Sequence, residues 1–511
     1  MSSEPRTSSS DKRSSFSGKE DHEELENANA TTAHGGQDFQ YVDYHYVADS
    51  PEEQKLRLKL DLHLLPTLWI MYVINYLDRS NIGNAKVGGM EKDLNLSSND
   101  YSLALLIFFV GYLLMEVPSN MILAKVRPSL YLPGIMFVWG CVVIAFKGVH
   151  NLKGLVAIRF FLGIAESGFF PGVWFFLGSW YKREELSKRF AIFYSASIIS
   201  GAFGGLLAGV ITENLDGKAG TRGWQWLFVV EGLATVTFAV IATFILPDWP
   251  ETTKWLTPEE RVLAVHRLKV QYKADEHLSH KESLKLAVSD WRTWAFVVCY
   301  MCIAGAGTIS YFIPTIASEL GYKGRQAQYM SASLPHASKA PPYAVAFVLS
   351  LSNNFHADWT RERIFHIAVP LIISGISYIV IAVVTHDKVR YAFLCFGASG
   401  VWSALPVMLA YASECLARPA SKRAVAVAII NSLGNLSSVY GSYLWPATDK
   451  PKYEKGFGVT CAFCFLAAFM VFVIRFFNGP IKTLDEEKDA RGAVEKDPEV
   501  AGPTDDKKAS A

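Results

Sequence analysis

Charge is scarce in this sequence. Of its 511 residues only 19% are Asp, Glu, Lys or Arg, 50% are hydrophobic, and the net charge is +1. Such a balance does not fit an ordinary soluble protein of one or two domains, and it argues against a nucleic-acid partner. Metal-ligand patterns are lacking as well. The seven cysteines include two CxxC pairs, Cys299 with Cys302 and Cys461 with Cys464. Both pairs fall in apolar stretches without histidines at zinc spacing, so no metal or other cofactor is expected. The histidine clusters or catalytic loop of a membrane-embedded desaturase or acyltransferase are missing, and the chain is not read as an enzyme. No strand precedes the glycine-rich GAFGGLLAG at 201–209, which reads as close helix packing and not as a phosphate loop. No signal-peptide pattern precedes the first apolar run.

What is present is a series of apolar runs of about 18 to 25 residues, the length that crosses a bilayer as a helix. They fall near 62–84, 101–124, 130–147, 153–180, 188–211, 225–246, 291–315, 326–352, 364–385, 389–412, 423–446 and 456–478. The pattern predicts an all-α membrane protein of twelve transmembrane helices in two six-helix bundles, 61–246 and 291–478. A central loop at 247–290 joins them, and disordered tails are expected at 1–60 and 479–511. In the loop, Thr257, Pro258 and Glu260 form a capped helix start. The loop itself reads as a spacer that lets the bundles move. An even number of spans puts both tails on one side, and the excess of Lys and Arg near the tails and central loop makes that side cytoplasmic. Asn95, in NLS, lies in a loop expected to face outward and is a candidate glycan acceptor.

The two halves carry traces of duplication. Phe161, Leu162, Ser167 and Gly168 recur at the same spacing as Phe393, Leu394, Ser399 and Gly400, and Ser187-Lys188-Arg189 recurs as Ser421-Lys422-Arg423. Ala398 stands at the position equivalent to Glu166, so ion chemistry concentrates in the first half.

Charge inside an apolar span is costly and marks function by default. Arg159 and Glu166 share one helix face in the fourth span, and Asp78 and Arg79 close the first. Together they suggest a polar cavity inside a helix bundle. Asn75, Tyr112, Tyr194, Tyr311, Trp402 and Asn431 are further candidates for its wall, although helix packing uses the same residue types.

Several segments together resemble one family: NYLDRSNIGNAK, EVPSN, RFFLGIAESGFFPG, WQWLFVVEG and PETTKWLTPEER. Over roughly residues 55 to 485 the chain is similar to the fungal allantoate permease, or anion:cation symporter, branch of the major facilitator superfamily. The resemblance implies proton-coupled uptake of a small organic anion across the plasma membrane, with nicotinate, pantothenate, biotin and allantoate among the substrates of members. Nicotinate is the first expectation, and the partners are then the anion, a proton and the lipid bilayer, with the protein a monomer. Efflux of an acidic metabolite and a non-transporting nutrient sensor are the alternatives.

Physical chemistry supports those roles. An arginine offers a permanently charged planar fork suited to carboxylate, so Arg79 or Arg159 can hold the anion. A buried carboxyl balanced between desolvation and a nearby guanidinium can exchange a proton, which suits Asp78 or Glu166. At about 1.5 Å rise per residue the two arginines sit at nearly one membrane level. In related symporters the positions matched by these four residues serve proton coupling and anion binding. Alternatively, Asp78 and Arg79 lock two helices together as a structural ion pair. Glu116 in EVPSN is read as a gate, and Asp358, Arg361 and Arg363 in ADWTRERIFH resemble the superfamily's cytoplasmic latch. Residues Ser333 to Lys339 interrupt the eighth span, as a lengthened outer loop or a retained intron in the gene.

Overall fold

A computed structural model describes residues 50–123, 125–273, 280–319, 342–416, 420–450 and 452–478. The segment Ser333 to Lys339 lies outside these residues, as does much of the expected eighth span. The first half comprises α1 (Pro51–Ala85), α2 (Ser98–Leu123), α3 (Pro128–Ile144), α4 (Leu152–Glu166), α5 (Phe169–Gly178), α6 (Arg183–Asn214) and α7 (Gly223–Ile245). Two helices follow in the central loop, α8 (Pro258–Lys273) and α9 (His280–Ser289). The second half holds α10 (Trp291–Gly307), α11 (Ile313–Glu319), α12 (Pro342–Thr360), α13 (Ile364–Val383), α14 (Asp387–Cys415), α15 (Ala420–Asn435), α16 (Ser437–Gly441) and α17 (Glu454–Asn478). Among the described residues there is no strand, and ten helical segments are long and apolar enough to cross a bilayer. An eleventh apolar segment, Val425–Gly441, is shorter. Apolar side chains such as Leu114, Phe161, Phe244, Ile373 and Phe469 point outward, as a lipid-facing surface requires.

The first helix begins earlier than expected. Ser50 caps it by accepting from the Glu53 amide, Pro51 takes a first-turn position, and Glu52 and Glu53 favour the positive end of the helix dipole. Residues 51–60, expected to belong to a disordered tail, are therefore helical, with Leu56, Leu60 and Glu53 buried.

Missing side chains set two helix contacts that matter below. A Cβ at Gly111 would meet the Phe160 carbonyl and one at Gly163 the Phe108 carbonyl, so α2 and α4 touch backbone to backbone. In the same way α3 and α7 close on each other, where a Cβ at Gly232 would lie 2.9 Å from the Gly140 carbonyl oxygen. In the second half α13 packs between α14 and α17, while α10 packs on α15 and α17. The halves meet chiefly through α6 with α12 and through α2 with α15 and α16.

The central loop is not a bare spacer. Thr257 and Glu260 cap α8 reciprocally, each side chain bonding the other's amide at 3.2 and 2.9 Å. Arg267 of α8 is fully buried, donates to the Trp180 carbonyl at 2.6 Å, and lies 3.6 Å from Glu53 and 3.3 Å from Glu185. Lys59 reaches Glu260 at 2.6 Å. Helix α8 is thus docked on the tail-bearing end of the first half. Two ion pairs brace this end: Arg189 in the first part of α6 holds Asp61 of α1, and Lys422 near the start of α15 holds Asp290 before α10, both at 2.6 Å.

Candidate functional site

A cavity lies between the halves, walled by Tyr72, Tyr76, Tyr112 and Tyr194 on one side and Tyr300, Tyr311, Trp402 and Asn431 on the other. Arg79 is the one charged side chain among the described residues that line it. Six expected residues, Arg79, Tyr112, Tyr194, Tyr311, Trp402 and Asn431, are therefore brought together on this wall. Asn75, Asp78, Arg159 and Glu166 are buried but stand outside it.

Helix α1 carries Arg79 to the cavity and α2 supplies the aromatic surface under it. The guanidinium lies 4.9, 5.0 and 4.9 Å from the ring centroids of Phe108, Phe109 and Tyr112. Arg159 reaches the same Phe108 ring at 4.4 Å, and its Nε donates to the Ala104 carbonyl at 3.2 Å. That approach is possible because Gly163, one turn further along α4, lets the two backbones meet. Among the described residues both terminal nitrogens of Arg159 lack a hydrogen-bond partner, and Asn75 lies beside Glu166 within side-chain hydrogen-bonding reach. Glu166 lies within electrostatic reach of Arg79, Asp78 and Arg159 without a direct ion pair to any of them.

Asp78 and Arg79, adjacent in sequence, face different places, and the structure does not pair them. Asp78 accepts from Trp139 Nε1 at 3.1 Å and from Thr235 Oγ1 at 2.7 Å, away from the cavity. Close packing of α3 on α7 brings those donors to it. Beside them lie Glu231 and Asn81, hydrogen-bonded to each other, and Asn84, which donates to Asn81 at 2.7 Å. Glu231 was not among the expected residues. The signal for it was available, since it is the one acid in the apolar run of α7.

Contacts join the halves on both sides of the cavity. On the tail side the Asn431 amide donates to Glu116 at 2.9 Å and accepts from the Tyr300 hydroxyl at 3.1 Å. Asn431, expected to bind substrate, thus shares one contact with Glu116, expected to gate. On the opposite side the Tyr101 hydroxyl donates to the Tyr311 carbonyl at 3.2 Å, and Lys86 lies 4.2 Å from the Tyr101 ring centroid. In the expected latch Arg363 holds Asp358 at 2.5 Å and Glu414 at 3.0 Å. Arg361 stands apart from this pair, exposed and with φ 53°. Asn95 is exposed with φ 49°, a conformation asparagine tolerates.

Comparison with known proteins agrees with this architecture. The family profile of the Major Facilitator Superfamily matches residues 68–442. MFS transporter prlL of a fungal species (strain NRRL 50135) is 34% identical over 450 residues, covering 85% of this chain and 89% of that protein. The major facilitator-type transporter hxnP of Emericella nidulans is 32% identical over 460 residues, covering 87% and 89%. A bacterial homologue of the human lysosomal transporter Spinster, inward-facing and occupied, superposes with a TM-score of 0.60 over 83% of this chain and 97% of that one. At 15% identity that likeness speaks for the fold alone.

Proposed function

This chain belongs to the Major Facilitator Superfamily and is a multi-pass membrane transporter, and from that premise we propose that it carries a small organic anion together with a proton. One observation carries the reading. Arg79 is the charged group of the cavity wall, Arg159 stands behind it on the same ring, and Glu166 lies within their field.

Electrostatics then couples the two substrates. With Glu166 ionised, its charge offsets the guanidiniums and weakens their hold on an anion. With Glu166 protonated, the Arg79 charge on the cavity wall, backed by Arg159, is no longer offset and a carboxylate binds to Arg79. In a low-dielectric interior such differences amount to several kcal/mol, so proton and anion favour each other's binding. Alternating access of the halves, 61–246 and 291–478, would move both together, with the Glu116 to Asn431 and Tyr101 to Tyr311 contacts opening in turn. The ring-lined wall suits a flat monocarboxylate such as nicotinate, the substrate class of the allantoate permease branch. Plasma membrane location with cytoplasmic tails belongs to the same reading.

Uptake of labelled nicotinate at acidic outside pH, in cells lacking their own carrier, tests it with unlabelled carboxylates as competitors. Uptake that collapses with the proton gradient supports symport. Absence of uptake and of any competitor-sensitive signal would turn the reading to efflux or sensing.

A further inference from the structure

The buried acid Glu231 has no role in the scheme above, and its surroundings are unusual. Helix α7 carries it into the first half at 5% exposure, beside the fully buried Asp78 of α1. Each carboxylate keeps one oxygen without a hydrogen-bond partner, Oδ1 of Asp78 and Oε1 of Glu231. The other oxygens are held, Asp78 by Trp139 and Thr235 and Glu231 by Asn81. The Thr235 hydroxyl also lies 2.9 Å from the main-chain carbonyl of Glu231, one turn back on α7, which places Asp78 within one turn of Glu231 along that helix.

Among the described residues no cation pairs with either acid. Helix α3 contributes Trp139 and Gly140, α6 brings Gly204 against Asn81, and α7 offers Thr235, none of them titratable. The charged group within reach of Glu231 is Asp78, and the next acid within reach of Asp78 is Glu166. Arg79, although adjacent to Asp78 in sequence, turns to the cavity rings. Two buried carboxylates so placed cannot easily both stay ionised, because burial and each other's charge oppose ionisation.

We propose that Asp78 and Glu231 act as one proton-holding pair, in which Glu231 is a positioning residue that sets when Asp78 releases its proton toward Glu166. In that step the O–H bond at Asp78 breaks as one forms at Glu166, and the negative charge left on Asp78 is met by a proton retained on Glu231. Glu166 lies within electrostatic reach of Asp78 and of both arginines. The inference deepens the proton-coupled reading and rests on it for transport alone.

Infrared difference spectra of the purified full chain, titrated between alkaline and acidic buffer, read the pair without any transported substrate. In Glu231→Gln the pair's late second step is lost, and the carboxylic acid band of Asp78 is expected to titrate below that step, by about one unit or more, because no like charge remains beside it. Glu231→Asp should restore most of the difference. If Glu231→Gln does not reach the membrane, Asp78→Asn reads the same coupling from the other acid. Titration unchanged in these variants overturns the proposal, even if they weaken uptake, because that is the pattern of a purely structural acid. Where nicotinate is carried, its uptake in Glu231→Gln should shift its pH profile by a similar amount and not merely fall in amplitude. Failure to carry nicotinate with the spectral coupling intact would instead count against the anion reading alone.

Discussion

Arg79 and Arg159 hold their guanidiniums against one ring, that of Phe108, at 4.9 and 4.4 Å from its centroid. Two like charges at this range repel, and the arrangement persists because the ring face attracts both and Glu166 lies within reach of both. Phe108 therefore sets the spacing of the cationic site without bearing charge itself.

Removing that ring should weaken anion binding and, because Phe108 is fully buried, also cost about 3–5 kcal/mol of stability. Phe108→Ala is expected to raise the half-saturating nicotinate concentration about tenfold, equivalent to about 1.4 kcal/mol, while Phe108→Tyr stays near wild type. Arg159→Lys should behave like the alanine variant, since an ammonium cannot keep both the Ala104 bond and the ring face. Concentration dependence of labelled uptake in matched vesicles checks all three.

Glu166→Gln separates the two ligands. Its amide keeps the shape of the acid but neither binds nor releases a proton, so net uptake driven by a proton gradient should fall at least tenfold. Exchange of internal for external nicotinate, which needs no net proton movement, should continue. Loss of both activities together would place Glu166 in anion binding and not in coupling.

Much of this is legible in the sequence itself. Lipid demands long apolar runs and penalises charge within them, so the spans and the residues Asp78, Arg79, Arg159 and Glu166 stood out from the sequence. Glu231 obeys the same rule but sits in WQWLFVVEG, where it passed as part of a family word. Direction was not legible at all. Nothing in the sequence says that Asp78 turns toward Trp139 and Thr235 while its neighbour Arg79 turns to the cavity, because that depends on how α3 and α7 pack. The docking of α8 was hidden for a similar reason: Arg267 finds Glu53 and Glu185 from distant parts of the chain.

The bond from Asn431 to Glu116 crosses between halves and should be energetically visible. Single variants Glu116→Gln and Asn431→Ala are each expected to destabilise the closed form, and the double variant should cost less than their sum. A coupling of about 0.5–2 kcal/mol is the expected size for residues in direct contact. Thermal unfolding of the purified singles and double in detergent measures it, and strict additivity would show that the contact does not hold the halves together.

Asp290 ties the tail-side end of the second half through Arg292 at 2.7 Å and Lys422 at 2.6 Å. Burial alone would raise its carboxyl, but hydrogen bonds from these two cations hold it well below the usual carboxylate range. A depressed folded-state value means stability that is present above about pH 4 and lost as pH falls through the lower folded value. Asp290→Asn should lower stability by about 1–2 kcal/mol at pH 7, and the gap from wild type should narrow below about pH 4. Melting temperatures across that range decide it, and a gap that is constant with pH would exclude the carboxylate charge as the cause.

The closest constraint on the site lies in an atom that is missing. Gly163 has no Cβ, and one added there would run into the Phe108 carbonyl, the backbone of the residue whose ring carries both arginines. Gly163→Ala must therefore push α4 from α2, lengthening the Arg159 to Ala104 bond and moving the guanidinium off the ring. Overpacking of this kind costs about 1–3 kcal/mol, so a lower melting temperature and weaker nicotinate uptake should appear together. Gly134→Ala is the matched control, since its Cβ would meet nothing within 4 Å and alanine favours the helix. If Gly163→Ala melts lower yet binds nicotinate as wild type does, close contact of α2 with α4 serves stability only, and the placement of Arg159 on Phe108 is not what the anion reads.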